Sequence, residues 1–151
     1  MILWRLSRRP HTDLSGRSGE LADGRWHTRG HPVVYCATSA ALAVLEVRVH
    51  LDLPFELLPD DYVLIRLAAP DDLVLLTLAA RDLPTGWHHR EDLCRPLGDR
   101  WLAERQTALL RVPSAIVAVE RNLLVNPRHP DARRVEVVET TPFPWDQRLF
   151  R

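Results

Sequence analysis

A short apolar run, Val33 to Ala37, is separated by only Thr38 and Ser39 from a helical run that starts at Ala40 and reaches about Leu51. Ser39 stands where a helix N-cap belongs. A strand that enters a helix this abruptly makes the helix pack back on the strand, which commits the chain to a mixed α/β layer arrangement. Just ahead of the strand, the loop from Gly24 to Pro32 carries Arg25 next to a glycine. Loop, strand and helix therefore present Arg25, Tyr35 and Glu46 in one stretch. One guanidinium, one phenol and one carboxylate are so placed that they can converge on a single cleft.

The remaining chain supplies partners for that unit. Ile2 to Ser7 reads as a first strand with Arg5 inside it, either on the solvent face or pointing into a cleft to bind an anion. His11 to Gly30 is rich in glycine and polar residues and reads as a long loop. In the helix, Leu42, Leu45 and Val49 fall at helical spacing and are expected to be buried, with Glu46 near the edge of that face. The alternative for Glu46 is an exposed surface position. Tyr62 to Ala69 and Leu73 to Leu78 read as two strands joined by a turn, and Gly98 to Gln106 as a short amphipathic helix. Leu109 to Val112 and Ala115 to Val119 read as one strand bent at Pro113-Ser114, because proline removes a ladder donor. Asn122 to Pro130 reads as a loop, Val135 to Thr140 as the last strand, and Pro142 to Asp146 as an extended arm. No repeat or linker divides the chain, so residues 1–151 are expected to form one domain.

Composition excludes several chemistries. All twenty basic side chains are arginine, so no Schiff-base lysine and no phosphate-loop lysine exists. What remains are planar, permanently charged forks suited to phosphate and carboxylate. The twenty arginines are balanced by twenty acids, whereas a protein built around duplex DNA usually carries a basic excess. Cys36 and Cys94 lack metal-ligand spacing, and His88-His89, His50 and His129 do not supply the paired spacing of a zinc site. No Gly-x-Ser-x-Gly elbow and no Gly-x-Gly-x-x-Gly fingerprint occurs, which argues against a serine hydrolase and a doubly wound nicotinamide fold. No apolar run approaches a membrane span or a signal peptide, and the thiols read as reduced, so the expected location is the cytoplasm.

Six blocks, in order, carry a resemblance: Leu3-Trp4-Arg5-Leu6, Gly24-Arg25-Trp26, Pro32-Val33-Val34-Tyr35, Ala41 to Val47 with His50, Val112 to Val117, and Asn122 to Pro127. Together they resemble the RES-domain family, named for its arginine, glutamate and serine. The family's toxins are similar in fold to the ADP-ribosyltransferase fold of diphtheria toxin, act on NAD and are held inactive by an Xre-type helix-turn-helix antitoxin. The resemblance puts the three name-giving residues on Arg25, Glu46 and Ser114, the site tyrosine on Tyr35 and a first-strand arginine on Arg5. The family's usual Gly-Gly-Arg-Trp-Asn is here Asp23-Gly24-Arg25-Trp26-His27, and its Asn-Tyr-Leu is Asn122-Leu123-Leu124.

The resemblance implies an α+β domain with a bent, split sheet, flanking helices and a central NAD cleft shared by Arg25, Tyr35, Glu46 and Ser114. It implies a toxin that breaks the nicotinamide–ribose bond of NAD, with NAD as substrate, no metal, and a hetero-oligomer with the antitoxin. Arg5 and Arg25 would hold the pyrophosphate, Tyr35 would stack on the nicotinamide, Glu46 would face the ribose and Ser114 would hydrogen-bond within the site. Water, inorganic phosphate or a protein side chain are alternative acceptors, the last making an ADP-ribosyltransferase. A non-catalytic domain that only binds a nucleotide or a partner is the other class of reading.

Overall fold

A computed structural model describes residues 1–151. Its sheet is two half-sheets that touch at one residue pair. In the first half, β1 (Ile2–Arg8) pairs antiparallel with β3 (Tyr62–Ala68) from Ile2 opposite Ala68 to Arg8 opposite Tyr62. The outer side of β3 is taken by β7 (Glu136–Pro142), with a bulge between Arg66 and Leu67. In the second half, β2 (Val34–Ala37) pairs with β6 (Arg121–Val125), β6 with β5 (Leu109–Pro113), and β5 with β4 (Leu75–Thr77) in parallel. The sheet order is β4-β5-β6-β2-β1-β3-β7, and β1 meets β2 only at Trp4 opposite Ala37. This is the split sheet expected from the resemblance.

The second half is buried on both faces, and its strands show why. Successive side chains alternate across a sheet. Leu109, Leu123 and Val125 join one core with Val34 and Cys36, while Leu110, Val112 and Leu124 join the other with Val33. The second core is closed by α3 (Glu91–Glu104), through Cys94, Trp101 and Leu102, and by Trp26 from the arginine loop. Fully burying a side chain of this size stabilises by about 1.5–3 kcal/mol.

Gly98 sets how closely α3 sits on that loop. A Cβ there would lie 1.6 Å from the Trp26 carbonyl oxygen and 2.7 Å from its carbon, both backbone atoms. Helix propensity alone favours alanine by about 0.8–1.0 kcal/mol. Overpacking typically costs about 1–3 kcal/mol. Gly98→Ala is therefore expected to lower the denaturant midpoint despite its better propensity; a raised midpoint would show that the helix slides away freely.

Several elements differ from the sequence expectation, each for a physical reason. Both sides of β3 are occupied by β1 and β7, so β4 forms no hairpin with it and pairs with β5 at the far edge. Residues 115–119 are a turn and not a strand, because the Ser114 hydroxyl accepts from the backbone N–H of Ile116 and Val117, at 3.1 Å each. Such local bonds compete with ladder pairing. Residues 121–125 are a buried strand and not a loop. The third helix begins at Glu91 and runs through Pro96, where the sequence suggested a start at Gly98. A short helix, α1 (Arg17–Leu21), interrupts the long loop.

The expected helix forms as α2 (Ala40–Arg48), capped by Ser39, whose hydroxyl accepts from the Leu42 N–H. Its buried face is rotated from the expected one. Leu42 and Ala43 are buried, while Leu45 and Val49 are 36% and 51% exposed. An all-round apolar helix carries no stripe to fix its rotation from sequence. Val44 and Val47 pack on Leu6, Tyr62 and Trp145, and this turns Glu46 inward. The C-terminal arm holds the same helix: the Arg48 guanidinium lies 4.1 Å from the Phe150 ring centroid and donates to the Leu149 carbonyl. No helix is long and apolar enough to cross a membrane.

Candidate active site

Where the half-sheets part, a cavity of about 580 Å³ opens, lined by β1, β2, α2, the arginine loop and Asn122 of β6. Its volume lies in the range of small-molecule sites. Arg5, Arg25, Tyr35 and Glu46 all line it. Ser114 does not; it is 2% exposed and reaches the cavity only through Glu46.

Glu46 is carried into the cavity with Ala43 and His50, its neighbours at helical spacing, and with Val47 beside it. The Ser114 hydroxyl donates to its Oε1 at 2.8 Å, and the Asn122 amide donates to the same oxygen at 2.7 Å. Oε2 receives no hydrogen bond from the protein. Since the Ser114 oxygen already accepts from two backbone N–H groups, its one hydrogen is committed to Glu46.

Tyr35 is fixed by a chain of bonds through His27. Nε2 of His27 faces the Gly19 and Ala22 carbonyls at 3.0 and 2.9 Å, which assigns it the hydrogen. Nδ1 then accepts from the Tyr35 hydroxyl at 2.7 Å, and the phenol oxygen accepts from the Trp26 N–H at 3.1 Å. Burial pushes the Tyr35 phenol well above its ordinary range, so the hydroxyl stays protonated and is used inside the loop. A Cβ on Gly24 would lie 2.5 Å from that oxygen, so the loop needs glycine at this close approach. The buried His27 thus staples the loop that presents Arg25.

The two arginines differ in their partners. Arg25 Nη1 donates to the Trp87 carbonyl at 3.4 Å, and Nη2 lies 3.9 Å from Glu91, which is held more tightly by Arg95 at 2.6 Å. Arg95 also donates to the Gly24 carbonyl, tying α3 to the loop. Arg5 donates to the Asp13 carbonyl at 3.0 Å and forms no ion pair. Burial lowers its guanidinium below the ordinary value, offset in part by the nearby Cys36 and Asp13. A guanidinium keeps its charge in proteins, so Arg5 offers the cavity a cation that no carboxylate contacts directly, with Asp13 as the nearest opposite charge acting on it. Beside it, burial pushes the Cys36 thiol up to about 12, which leaves it protonated and a poor nucleophile. No group of three or more His, Cys, Asp or Glu side chains is placed to hold a metal.

Sequence reasoning gave Asn122 no role of its own. A signal was present in the alternation of Asn122 with buried Leu123 and Leu124, but the asparagines at 122 and 126 resemble loop residues. The assembled site offers a carboxylate with one open oxygen, cations suited to a diphosphate and an aromatic wall. That set can bind a nucleotide and stabilise positive charge on a sugar.

Comparison with known proteins bears on family and fold. Residues 2–146 match the model of the RES domain. The chain is 45% identical to "Toxin Res" of Pseudomonas putida over 152 residues, covering 99% of this chain and all of that protein. It is 36% identical to "Prs ADP-ribosylating toxin" of a Sphingobium species over 154 residues, covering 98% and 96% of the two chains. Among solved structures, the M. tuberculosis MbcT–MbcA toxin–antitoxin complex contains a chain that superposes with TM-score 0.75 at 18% identity, over 94% of this chain and 83% of that one. The split-sheet expectation for the fold is met, and the chain belongs to the RES-domain family of toxins.

Proposed function

We propose that the chain consumes NAD by breaking the nicotinamide–ribose bond. The observation that carries this reading is Glu46, set into a nucleotide-sized cavity with one oxygen held by two donors and the other open. In the reaction the C1′–N bond breaks and its electron pair leaves with the pyridinium nitrogen, so nicotinamide departs neutral. Positive charge develops on the ribose as an oxocarbenium, as in glycoside cleavage. The Glu46 carboxylate stabilises that charge. Arg5 and Arg25 bind the pyrophosphate, and the Tyr35 ring packs against the nicotinamide.

Water as acceptor gives ADP-ribose, and inorganic phosphate gives ADP-ribose 1″-phosphate. Transfer to a protein side chain is the second reading, favoured by the likeness to the Sphingobium protein called an ADP-ribosylating toxin. Incubating the protein with NAD, with and without phosphate, and identifying products by mass spectrometry separates these. Release of nicotinamide is expected in every case, and intact NAD after prolonged incubation would refute the reading. In the same assay Arg25→Ala is expected to weaken NAD binding as well as turnover. Losing a hydrogen bond to a charged group costs about 1.5–3 kcal/mol, which corresponds to a rise in Kd of about tenfold or more.

The toxin acts in the cytoplasm, where NAD is available, and an Xre-type helix-turn-helix antitoxin covers the cavity. The likeness to a chain from a toxin–antitoxin complex supports such a partner. Expression alone should arrest growth, and co-expression with an Xre-type antitoxin that binds it should relieve the arrest and give a complex on gel filtration. Relief without a complex would set the direct-cover idea aside.

A further inference from the structure

Asn122 stands on β6, opposite Ala37 of β2 and Val112 of β5, on an inner strand held from both sides. From there its amide nitrogen donates to Glu46 Oε1 at 2.7 Å. The amide can face only one way. Turned over, it would set its oxygen against the carboxylate oxygen, and two acceptors repel. The consequence is that Asn122 Oδ1 lies buried with no hydrogen-bond partner. Unpaired buried acceptors are rare, and the one hydrogen bond this side chain makes within the protein is the bond to Glu46.

What the amide does follows from the torsional freedom of glutamate. The terminal torsion of Glu is broad and roughly two-fold, so nothing intrinsic fixes the plane of the carboxylate. Ser114 and Asn122 approach the same oxygen from different strand ends and stop that rotation. The geometry points to Asn122 as a positioning residue: with Ser114 it claims Oε1 of Glu46, so that Oε2 alone is presented to the reacting sugar. This rests on the reading of Glu46 as the group that stabilises the ribosyl cation. Asn122 acts through that carboxylate and does not itself touch the reacting atoms.

The test compares Asn122→Ala and Asn122→Leu with wild type, each also in the Glu46→Gln background. Losing an outer partner that orients a working group typically costs about tenfold to a hundredfold in activity. That fall is expected in kcat, with KM and NAD affinity within about twofold, because a group felt only in the transition state leaves ground-state binding alone. In the Glu46→Gln background neither substitution should lower turnover further, since the carboxylate to be positioned is gone. A residue that merely supports the fold would lower turnover in both backgrounds. Asn122→Leu fills similar space and removes the unpaired acceptor together with the bond to Glu46, so it should stay folded at the assay temperature, as its circular dichroism will show, while its kcat falls. It therefore decides the matter if the alanine variant folds poorly. Wild-type kcat in Asn122→Leu, or equal losses in both backgrounds, would overturn the assignment while leaving the role of Glu46 intact. Wild-type turnover in Glu46→Gln alone would instead remove the role of Glu46, and the positioning assignment with it.

Discussion

Glu46→Gln will lower NAD turnover by roughly a hundredfold to a thousandfold while NAD affinity stays within about threefold of wild type. The substitution is chosen because it preserves the surroundings. Ser114 and Asn122 both donate to Oε1, so the glutamine carbonyl can take that place and keep both bonds. Its amide nitrogen then occupies the position of Oε2, which no protein group claims. Shape, size and network persist, so the fold should be retained; for Glu46 as a surface residue, the alternative, the substitution would change stability by no more than about 0.5 kcal/mol and leave every activity alone. Only the negative charge facing the sugar is lost. Removing one aligned electrostatic partner of a transition state costs about 2.7–4 kcal/mol. Affinity is spared because the pyrophosphate is held by arginines and the sugar charge appears only as the bond breaks. Steady-state turnover beside calorimetric NAD binding checks both halves. Unchanged turnover would take Glu46 out of the mechanism.

The largest stability effect is expected for Trp26→Ala, at about 3–5 kcal/mol. Trp26 is 1% exposed and packs with Cys94, Trp101 and Val112, with the Trp87 ring centroid 6.0 Å away. Its backbone also anchors the site, since its N–H donates to Tyr35 and its carbonyl meets Gly98 of α3. The cavity left by the indole is bordered by a strand and a helix that cannot close over it without moving that anchor. At about 2–4 °C per kcal/mol for a chain of this length, the melting temperature should fall by about 10 °C, and Arg25 should lose its fixed position. A loss under about 1 kcal/mol in denaturant titration would mean that α3 collapses onto the loop after all.

How much was legible in the sequence depended on whether a local signal decided the outcome. β1, β2, β3 and β7 were marked by apolar runs with clear bounds, and Ser39 marked the start of α2. The rotation of α2 was not marked, because Ala, Leu and Val surround it and only the packing of Val44 and Val47 on Tyr62 and Trp145 selects a face. β6 was hidden by Asn122, whose side chain is polar for the sake of Glu46 and not for solvent. The residues 115–119 looked like strand by composition, and the Ser114 hydroxyl overrode that preference. In the site, Arg25, Tyr35 and Glu46 were marked by the order of loop, strand and helix, and Ser114 came from the family resemblance alone. That Ser114 stands behind Glu46 and not beside a ligand depends on which carboxylate oxygen it reaches, and spacing along a chain carries no such information.

The single pair Trp4 and Ala37 that joins the half-sheets gives the cavity a mechanical meaning. Along an ordinary ladder, adjacent strands are riveted at every second residue; here the seam has one rivet, and a bound molecule touching β1 on one side and β2 or β6 on the other becomes the second. Such a molecule binds the folded seam and not the unfolded chain, so occupancy and resistance to unfolding rise together. A ligand at a hundred times its Kd adds about 2.7 kcal/mol, a sizeable fraction of the stability of a chain this small. The half-sheets share one apolar core, in which Leu3, Ile65 and Leu67 meet Val34, Cys36 and Leu123, and a ligand in the cleft would add a polar bridge to that apolar one. On the proposed reaction, turnover would remove the molecule that bridges the seam.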